Sequence, residues 1–316
     1  MLGIGKMIRT SHYLFAALCL GSLFACSRQF TDSYIVPKWC FAVFMLFIVL
    51  AYEAVNILFY RQNEQKDTRI SVYGFIIVIS CFLQAMFGVV QFFGFFQIST
   101  TLWVTGSFDN PAGFAACLCA GFPFVGFLLS DSNKYIRYVG GLIGFVIVIA
   151  VILSQSRAGI MSIAFICFIL LNMKFFHKRW VKYLSLLCFA LLLSGCYWMK
   201  KDSADGRLLI WRCSVSMVKD APWLGHGIGS FEARYMDYQA DYFRQYGLNR
   251  YSMLADNVKH PFNEYLGVLL NFGFVGLLMI LALITLLIYC YKKHPCAEKR
   301  IAFCSLISIG VFSFFS

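Results

Sequence analysis

Lys182–Tyr–Leu–Ser–Leu–Leu–Cys–Phe–Ala–Leu–Leu–Leu–Ser–Gly–Cys–Tyr–Trp–Met199 carries no charge after its first residue, and Lys200–Lys–Asp–Ser–Ala–Asp–Gly–Arg207 follows at once. An apolar run of about 20 residues is what crosses the hydrocarbon core of a bilayer. In lipid such a run must be a helix, because each backbone polar group has to be satisfied within its own segment. The change at Lys200 therefore marks where the chain leaves lipid for water. Working outward, the same reading repeats at Tyr13–Cys26, Trp39–Tyr60, Ile70–Phe93, Pro111–Ser130, Ile136–Leu153, Ala158–Phe176 and Glu264–Tyr291. A further run opens at Ile301 and stops with the chain at Ser316 without a basic flank, which predicts the front part of a longer protein.

The expected fold is all-α and integral to a membrane: a multi-pass helical bundle with one large outer loop. Its parts are a seven-helix bundle over 1–199, a polar loop with amphipathic helices over 200–262, and an eighth and partial ninth helix over 263–316. Composition agrees. Hydrophobic residues make up 60% and charged residues 13%, against about 25% charge in a soluble domain.

The net charge of +12 is a topology signal and does not point to nucleic acid. When the loops are assigned to alternating sides, fifteen of the 27 basic residues fall on the N-terminal side, opposed there only by Glu64, Asp67, Asp131 and Glu298. The short loops of the other side hold Arg28, Lys38 and Arg157. The positive-inside rule places the basic side, and the N-terminus with it, in the cytoplasm. The expected location is a bacterial inner membrane, with the loop Lys200–Lys259 in the periplasm. That loop is near-balanced, with nine Lys/Arg and seven Asp/Glu. The thirteen cysteines lie mostly in apolar spans, where cysteine behaves as a small hydrophobe. No CxxC or His/Cys metal spacing occurs, so neither a disulfide nor a zinc site is expected. Met1–Phe24 has the outline of a signal peptide, but a short first membrane helix is preferred because cleavage would not improve the charge pattern.

Polar residues within or beside the spans need a reason. Glu53, inside the second span, is a functional candidate by default, but its depth in the inner half favours a structural pairing. Gln84 and Gln91 are seven apart and predict helix-to-helix bonding. In Gly106–Ser–Phe–Asp–Asn–Pro111, Asp109 or Asn110 followed by proline predicts a helix start; a plain cap is sufficient, and a ligand contact by Asn110 is the sharper alternative. Ser154–Gln–Ser–Arg157–Ala–Gly leaves almost no loop between two spans. Its guanidinium is either an interfacial arginine or, as the break in the charge bias favours, a phosphate ligand.

In Asp205–Gly–Arg207–Leu–Leu–Ile–Trp211–Arg212, Arg207 and Trp211 share a helical face, and two arginines there can receive an anionic head group. Ala221–Pro–Trp–Leu–Gly225–His–Gly227–Ile–Gly229–Ser–Phe231 reads as a tight irregular turn that sets the helices on either side. In Lys259–His260–Pro261–Phe–Asn263–Glu264, proline fits a first helical position, which would put His260 at that helix's outer N-terminus. The dipole there disfavours added positive charge, so His260 serves either as a cap or as a general base. Asn263 shares its face. Cations for phosphate plus an imidazole suit transfer from a membrane-bound diphosphate donor to a hydroxyl.

At these residues the chain resembles the O-antigen ligase and O-antigen polymerase family of bacterial inner-membrane proteins. The resemblance spans about Ser107 to Leu278. It is carried by Phe108–Asp–Asn–Pro111, Ser156–Arg–Ala–Gly159, Gly206–Arg207 with Trp211, Pro222 through Phe231, His260 with Asn263–Glu–Tyr–Leu266, and Asn271–Phe–Gly273–Phe–Val–Gly276. One departure is the Pro–Phe pair between His260 and Asn263, where many members have His–Asn adjacent.

The resemblance implies a GT-C-type, metal-independent glycosyltransferase without cofactor. Its donor would be a glycan on undecaprenyl diphosphate, and its acceptor a hydroxyl of lipid A–core. Arg157 and Arg207 would hold the donor's diphosphate, with Arg212 added from its position, and His260 would activate the acceptor. Trp211, Asn263 and Asn110 would support them. Within the family, polymerase and protein O-oligosaccharyltransferase share donor and fold with the ligase. A transporter or flippase of lipid-linked sugars is the alternative from another class, disfavoured because the polar residues crowd at one edge of the membrane and not at its middle.

Overall fold

The computed structural model describes residues 2–27, 29, 35–59, 66–95, 104–174, 179–199, 201–293 and 296–315. Arg28, Arg61, Glu64, Lys178 and Lys200, which enter the charge pattern, lie outside them. The described residues are all-α. In chain order the helices are α1 (Leu2–Phe24), α2 (Ile35–Phe59), α3 (Lys66–Phe92), α4 (Pro111–Gly121), α5 (Val125–Leu129), α6 (Lys134–Leu153), α7 (Arg157–Lys174), α8 (Arg179–Met199), α9 (Lys201–Asp220), α10 (Ser230–Tyr246), α11 (Glu264–Lys293) and α12 (Ala297–Phe315).

Among the described residues, five helical stretches are long and apolar enough to cross a membrane: Ile35–Val55, Val72–Phe92, Pro111–Leu129, Lys134–Leu153 and Glu264–Lys293, with a shorter apolar helix at Arg157–Asn172. The protein is an integral helical membrane protein. The span expected over Pro111–Ser130 is not one unbroken helix. A 3-10 turn, Phe122–Phe124, interrupts it, because Pro123 has no amide hydrogen to continue an α-helical ladder.

The chain forms two compact units, Met1–Ile163 with Ala297–Ile309, and Ala164–Cys296 with Gly310–Ser316. In the first, serines join helices where apolar faces have no hydrophobic driving force of their own in lipid. Ser308 Oγ donates to the Cys119 carbonyl at 2.8 Å and pairs with Ser162 Oγ at 2.8 Å. Ser305 Oγ reaches the Ala120 carbonyl at 2.5 Å. Glu53 accepts from the hydroxyls of Ser11 and Tyr73, the latter at 2.8 Å, which is the structural pairing expected for it. Gln91 Oε1 takes the amides of Thr105 and Gly106 at 2.9 and 2.8 Å. Gln84 is fully buried, and among the described residues neither end of its amide finds a hydrogen-bond partner. Gln91 bonds to the turn ahead of α4 and not to another helix, so the helix-to-helix bonding expected of the pair is not what it makes.

In the second unit α9 and α10 pack on each other and on α11 around Leu209, Cys213, Met217, Phe231, Tyr235 and Leu270. Apolar residues of both helices line this core, while Lys201, Asp202, Glu232 and Asp237 face outward.

Candidate functional site

α11 is broken at Gly273, whose φ of 62° and ψ of −159° are not helical. Such a break removes the bonds that the amides of 274 and 275 would make to the carbonyls of 270 and 271. The turn before α10 replaces all four groups. His226 N–H donates to the Leu270 carbonyl at 2.7 Å and Gly227 N–H to Asn271 at 3.1 Å, while Phe274 and Val275 donate to the carbonyls of Pro222 and Trp223 at 2.8 and 3.2 Å. So close an approach needs glycine on both sides. A Cβ on Gly225, at φ +69°, would lie 2.6 Å from the Leu270 carbonyl oxygen, and one on Gly273 would strike the Trp223 carbonyl. The glycine-rich motif therefore clamps a broken helix. Its backbone groups are spent on that clamp, which leaves none of these four to bind a transported ion or sugar.

His226 belongs to the same clamp. Its Nε2 lies 2.7 Å from the Met217 carbonyl and its Nδ1 3.0 Å from Arg234 Nη1. A carbonyl only accepts and a guanidinium only donates, so Nε2 donates, Nδ1 accepts and both nitrogens are occupied.

The expected placing of Pro261 at a first helical position needs correcting. α11 begins at Glu264, and Asn263 is its N-cap, with Oδ1 accepting from Leu266 N at 3.0 Å. An asparagine side chain satisfies an open amide of the first turn better than a residue three places earlier can. Pro261 and Phe262 thus belong to the approach, and His260 stands ahead of the helix, exposed, with no hydrogen bond to any described residue. Asn263, only 4% exposed, is turned inward to its capping bond.

What fixes the approach is α9. Trp211 Nε1 donates to the Pro261 carbonyl at 3.0 Å, and the Arg207 guanidinium lies 5.1 Å above the Phe262 ring. Arg207 also donates to the Phe315 carbonyl at the end of α12, and Trp211 meets Phe314 edge-on at 5.7 Å. Phe262 is held at φ 51°, a left-handed conformation that bulky residues rarely adopt and that persists only where neighbours over-determine it. The expectation that Arg207 and Trp211 share a face is met, and that face grips the two residues after His260.

Arg212 points elsewhere. It donates to Tyr242 Oη at 3.3 Å and covers the Tyr251 ring at 5.2 Å. The Tyr242 hydroxyl first, and Tyr251 beside it, raise its pKa further above the ordinary guanidinium value.

Arg157 and Asn110 belong to the first unit. Ser156 Oγ accepts from Gly159 N at 3.3 Å, capping α7, so that Arg157 is the first residue of that helix. Its backbone thus stands in the first turn of α7, the end of a helix that favours an anion. Asn110 caps α4, its Oδ1 taking Gly113 N at 2.6 Å with Pro111 behind it, as expected. Cys119 Sγ reaches the Gly159 carbonyl at 3.4 Å, and a Cβ on Gly159 would meet Ala115. With Ser162 and Ser308 above Cys119, these contacts make α4 and α7 run parallel, so Asn110 and Arg157 stand at the same end of their unit.

Sequence reasoning passed over Lys38 at that end. It is 8% exposed, donates to the Ser107 carbonyl, and lies 4.4 Å from the Phe108 ring centre. It helps to line a pocket of about 510 Å³ with Trp39, Asp109 and Asn110. The available signal was its rarity, one of three basic residues in the short loops of its side.

Fold and site together define a multi-pass helical membrane protein whose polar helices hold an arginine, a tryptophan and an exposed histidine beside the entry to a span. Residues 142–281 match the family model described as O-antigen ligase, a match that supports a member of the O-antigen ligase family. It takes in Arg157, Arg207, Trp211, Arg212, His260 and Asn263 and leaves Asn110 outside. No curated protein and no solved structure matches the chain. The family implies a ligase of glycosyltransferase type, with a lipid-linked glycan and an acceptor as partners.

Proposed function

We propose that the protein moves a glycan from undecaprenyl diphosphate to a hydroxyl of lipid A–core on the periplasmic side of the inner membrane. The observation that carries this reading is the grip of Arg207 and Trp211 on Pro261–Phe262, inside the segment matched to the ligase family. It fixes an always-charged guanidinium within two residues of an exposed imidazole.

In the reaction, His260 takes the proton of the acceptor hydroxyl as that oxygen bonds to the sugar's anomeric carbon. The bond from that carbon to the diphosphate oxygen breaks, and the diphosphate leaves with the electron pair. Charge grows on the leaving group in the transition state, and a preorganised cation such as Arg207 stabilises it there. Arg157, the first residue of α7, is a further candidate for the donor's phosphate oxygens. Arg212 is a second anion contact of α9, on the face toward Tyr242. The guanidinium groups supply the positive charge that a divalent ion supplies in other transferases, and no step calls on a cofactor.

The test is transfer in vitro with the purified full chain, undecaprenyl-diphosphate glycan and lipid A–core, comparing the native protein with Arg207→Ala and His260→Ala. Undiminished transfer in both would remove the assignment. A deletion strain separates the ligase from a polymerase. Loss of the ligase leaves bare core and accumulated lipid-linked glycan, whereas loss of a polymerase leaves core bearing a single repeat unit.

A further inference from the structure

Two clusters of large apolar side chains project from the polar helices, one at each end of the α9–α10 pair. At one end Trp223, Leu224 and Ile228 are 69%, 75% and 84% exposed; at the other, Leu248 and Met253 are 88% and 93% exposed. Exposed apolar side chains scattered singly need no explanation, but grouped at loop tips they mark an interaction surface.

Their placement identifies the partner. The first tip adjoins the membrane-crossing part of α11. The Trp223 ring meets the Phe274 ring edge-on at 6.0 Å, immediately after the break at Gly273. From there the outward face of α11 continues apolar and exposed through Val275, Leu278 and Met279. The second tip adjoins the end of α8. Tyr197 Oη donates to Asp205 at 3.3 Å, and the Leu254 carbonyl, next to Met253, lies against Gly206. That end of α8 is finished by Trp198, 67% exposed, with the Lys201 ammonium 5.5 Å from its ring. An exposed tryptophan beside a lysine at a helix end is the composition of a membrane–water interface.

α9 thus starts at the end of one apolar helix and ends at the break of another, about 30 Å away for a 20-residue helix. α10 runs back along it, tied by Arg212 to Tyr242 and by Tyr238 to Asp220 at 2.6 Å. From this arrangement we infer that the α9–α10 pair lies flat along the bilayer surface, seated in the lipid at two points by Trp223–Leu224–Ile228 and by Leu248–Met253. A flat amphipathic element with an apolar anchor at each end gains from lipid at both and is resisted by water at both. The seat would hold the polar helices, and His260 between α10 and α11, at a set height over the lipid.

The experiment uses the full chain in bilayer nanodiscs made with phospholipid brominated near the head-group end of its acyl chains. The difference in emission between the native protein and Trp223→Phe isolates Trp223. Leu248→Trp and Met253→Trp place a reporter at the other tip. Both reporters are expected to be quenched by the brominated lipid and little affected by aqueous iodide. Quenching by iodide in place of bromine would put the tips in water and overturn the proposal. Shielding from both quenchers would show a protein cover, such as a second copy of the chain, and overturn it equally. Lipid contact at one tip alone would sink the two-point seat.

Discussion

Two turns meet α11, one at its break and one at its start, and they are built in opposite ways. The first, 221–229, is held by its backbone. Its amides and carbonyls complete the broken helix, its glycines permit the approach, and its histidine is locked between Met217 and Arg234. The second, 260–263, is held by side chains. Trp211 and Arg207 grip it from α9, Asn263 ties it into α11, and its histidine is left exposed. An imidazole whose two nitrogens are occupied is a structural part, whereas one presented to solvent beside a fixed cation can exchange protons with a substrate. The difference gives the two histidines of the polar helices different roles.

The largest expected effect strikes the first turn. Gly225→Ala and Gly273→Ala each put a Cβ onto backbone atoms of the facing segment, which cannot swing aside as a side chain can. Both variants are expected to lose folded protein, read as failure to recover monodisperse material from membranes. Gly227→Ala and Gly229→Ala are the control. Their φ values of +90° and +79° are equally left-handed, but nothing lies within 4 Å of the new atom. Each should cost only about 1–2 kcal/mol of conformational strain and still fold. Equal behaviour of all four variants would mean that the clamp is not what makes the motif glycine-rich.

Next in size is the contrast between the histidines. His260→Ala should lower the transfer rate by about 10²–10⁴-fold, the usual contribution of a general base, without moving the melting temperature. His226→Ala should do the reverse, because it deprives the Met217 carbonyl and Arg234 of their partner and leaves the reacting groups in place. A His226 variant that folds normally but is inactive would break the comparison.

Arg207 and Arg212 sharpen it further. They lie five residues apart on α9 and face different partners, the Phe262 ring and the Tyr242–Tyr251 pair. Arg207→Ala should reduce transfer by about 10²-fold or more, the scale of losing one preorganised charge-stabilising group. Arg212→Ala should reduce it less. The measurement is kcat in the reconstituted assay, and a larger loss at Arg212 would move the donor site to the α10 side of the helix.

Much of this was legible in the sequence, and the gaps have physical causes. The spans over Trp39–Tyr60, Ile70–Phe93, Pro111–Ser130, Ile136–Leu153 and Glu264–Tyr291 were readable because lipid admits so few backbone solutions, and Asn110 was readable as a cap because Pro111 follows it. Hidden was the break in α11. Asn271–Phe–Gly273 is compatible with a continuous helix, and only the arrival of 222–227 makes the broken form the lower in energy. The structural part played by His226 was hidden likewise, since its bonds come from Met217 and Arg234, nine and eight residues away. Pro261 misled because proline suits a first helical turn in general, while here the stronger capping side chain of Asn263 set the start three residues later. Lys38 was hidden by its neighbours: a lysine at the head of an apolar run reads as an interfacial charge until Ser107 and Phe108 are seen to enclose it.

The smallest expected effect concerns Asn263, whose two possible roles predict different signatures. As a cap it satisfies one open amide of α11, and Asn263→Ala should cost about 1 kcal/mol of stability. Transfer would be lowered only to the extent that the 260–262 approach loosens. Asn263→Asp, which keeps an acceptor oxygen toward the Leu266 amide and favours the helix dipole, should restore both. As a contact to substrate, the asparagine would also need its amide nitrogen, and Asn263→Asp would stay impaired in transfer while regaining stability. Melting temperature and kcat/KM measured together on the two variants distinguish the roles. The inward turn of Asn263, 4% exposed, favours the cap, since a side chain so covered has little left to offer a sugar.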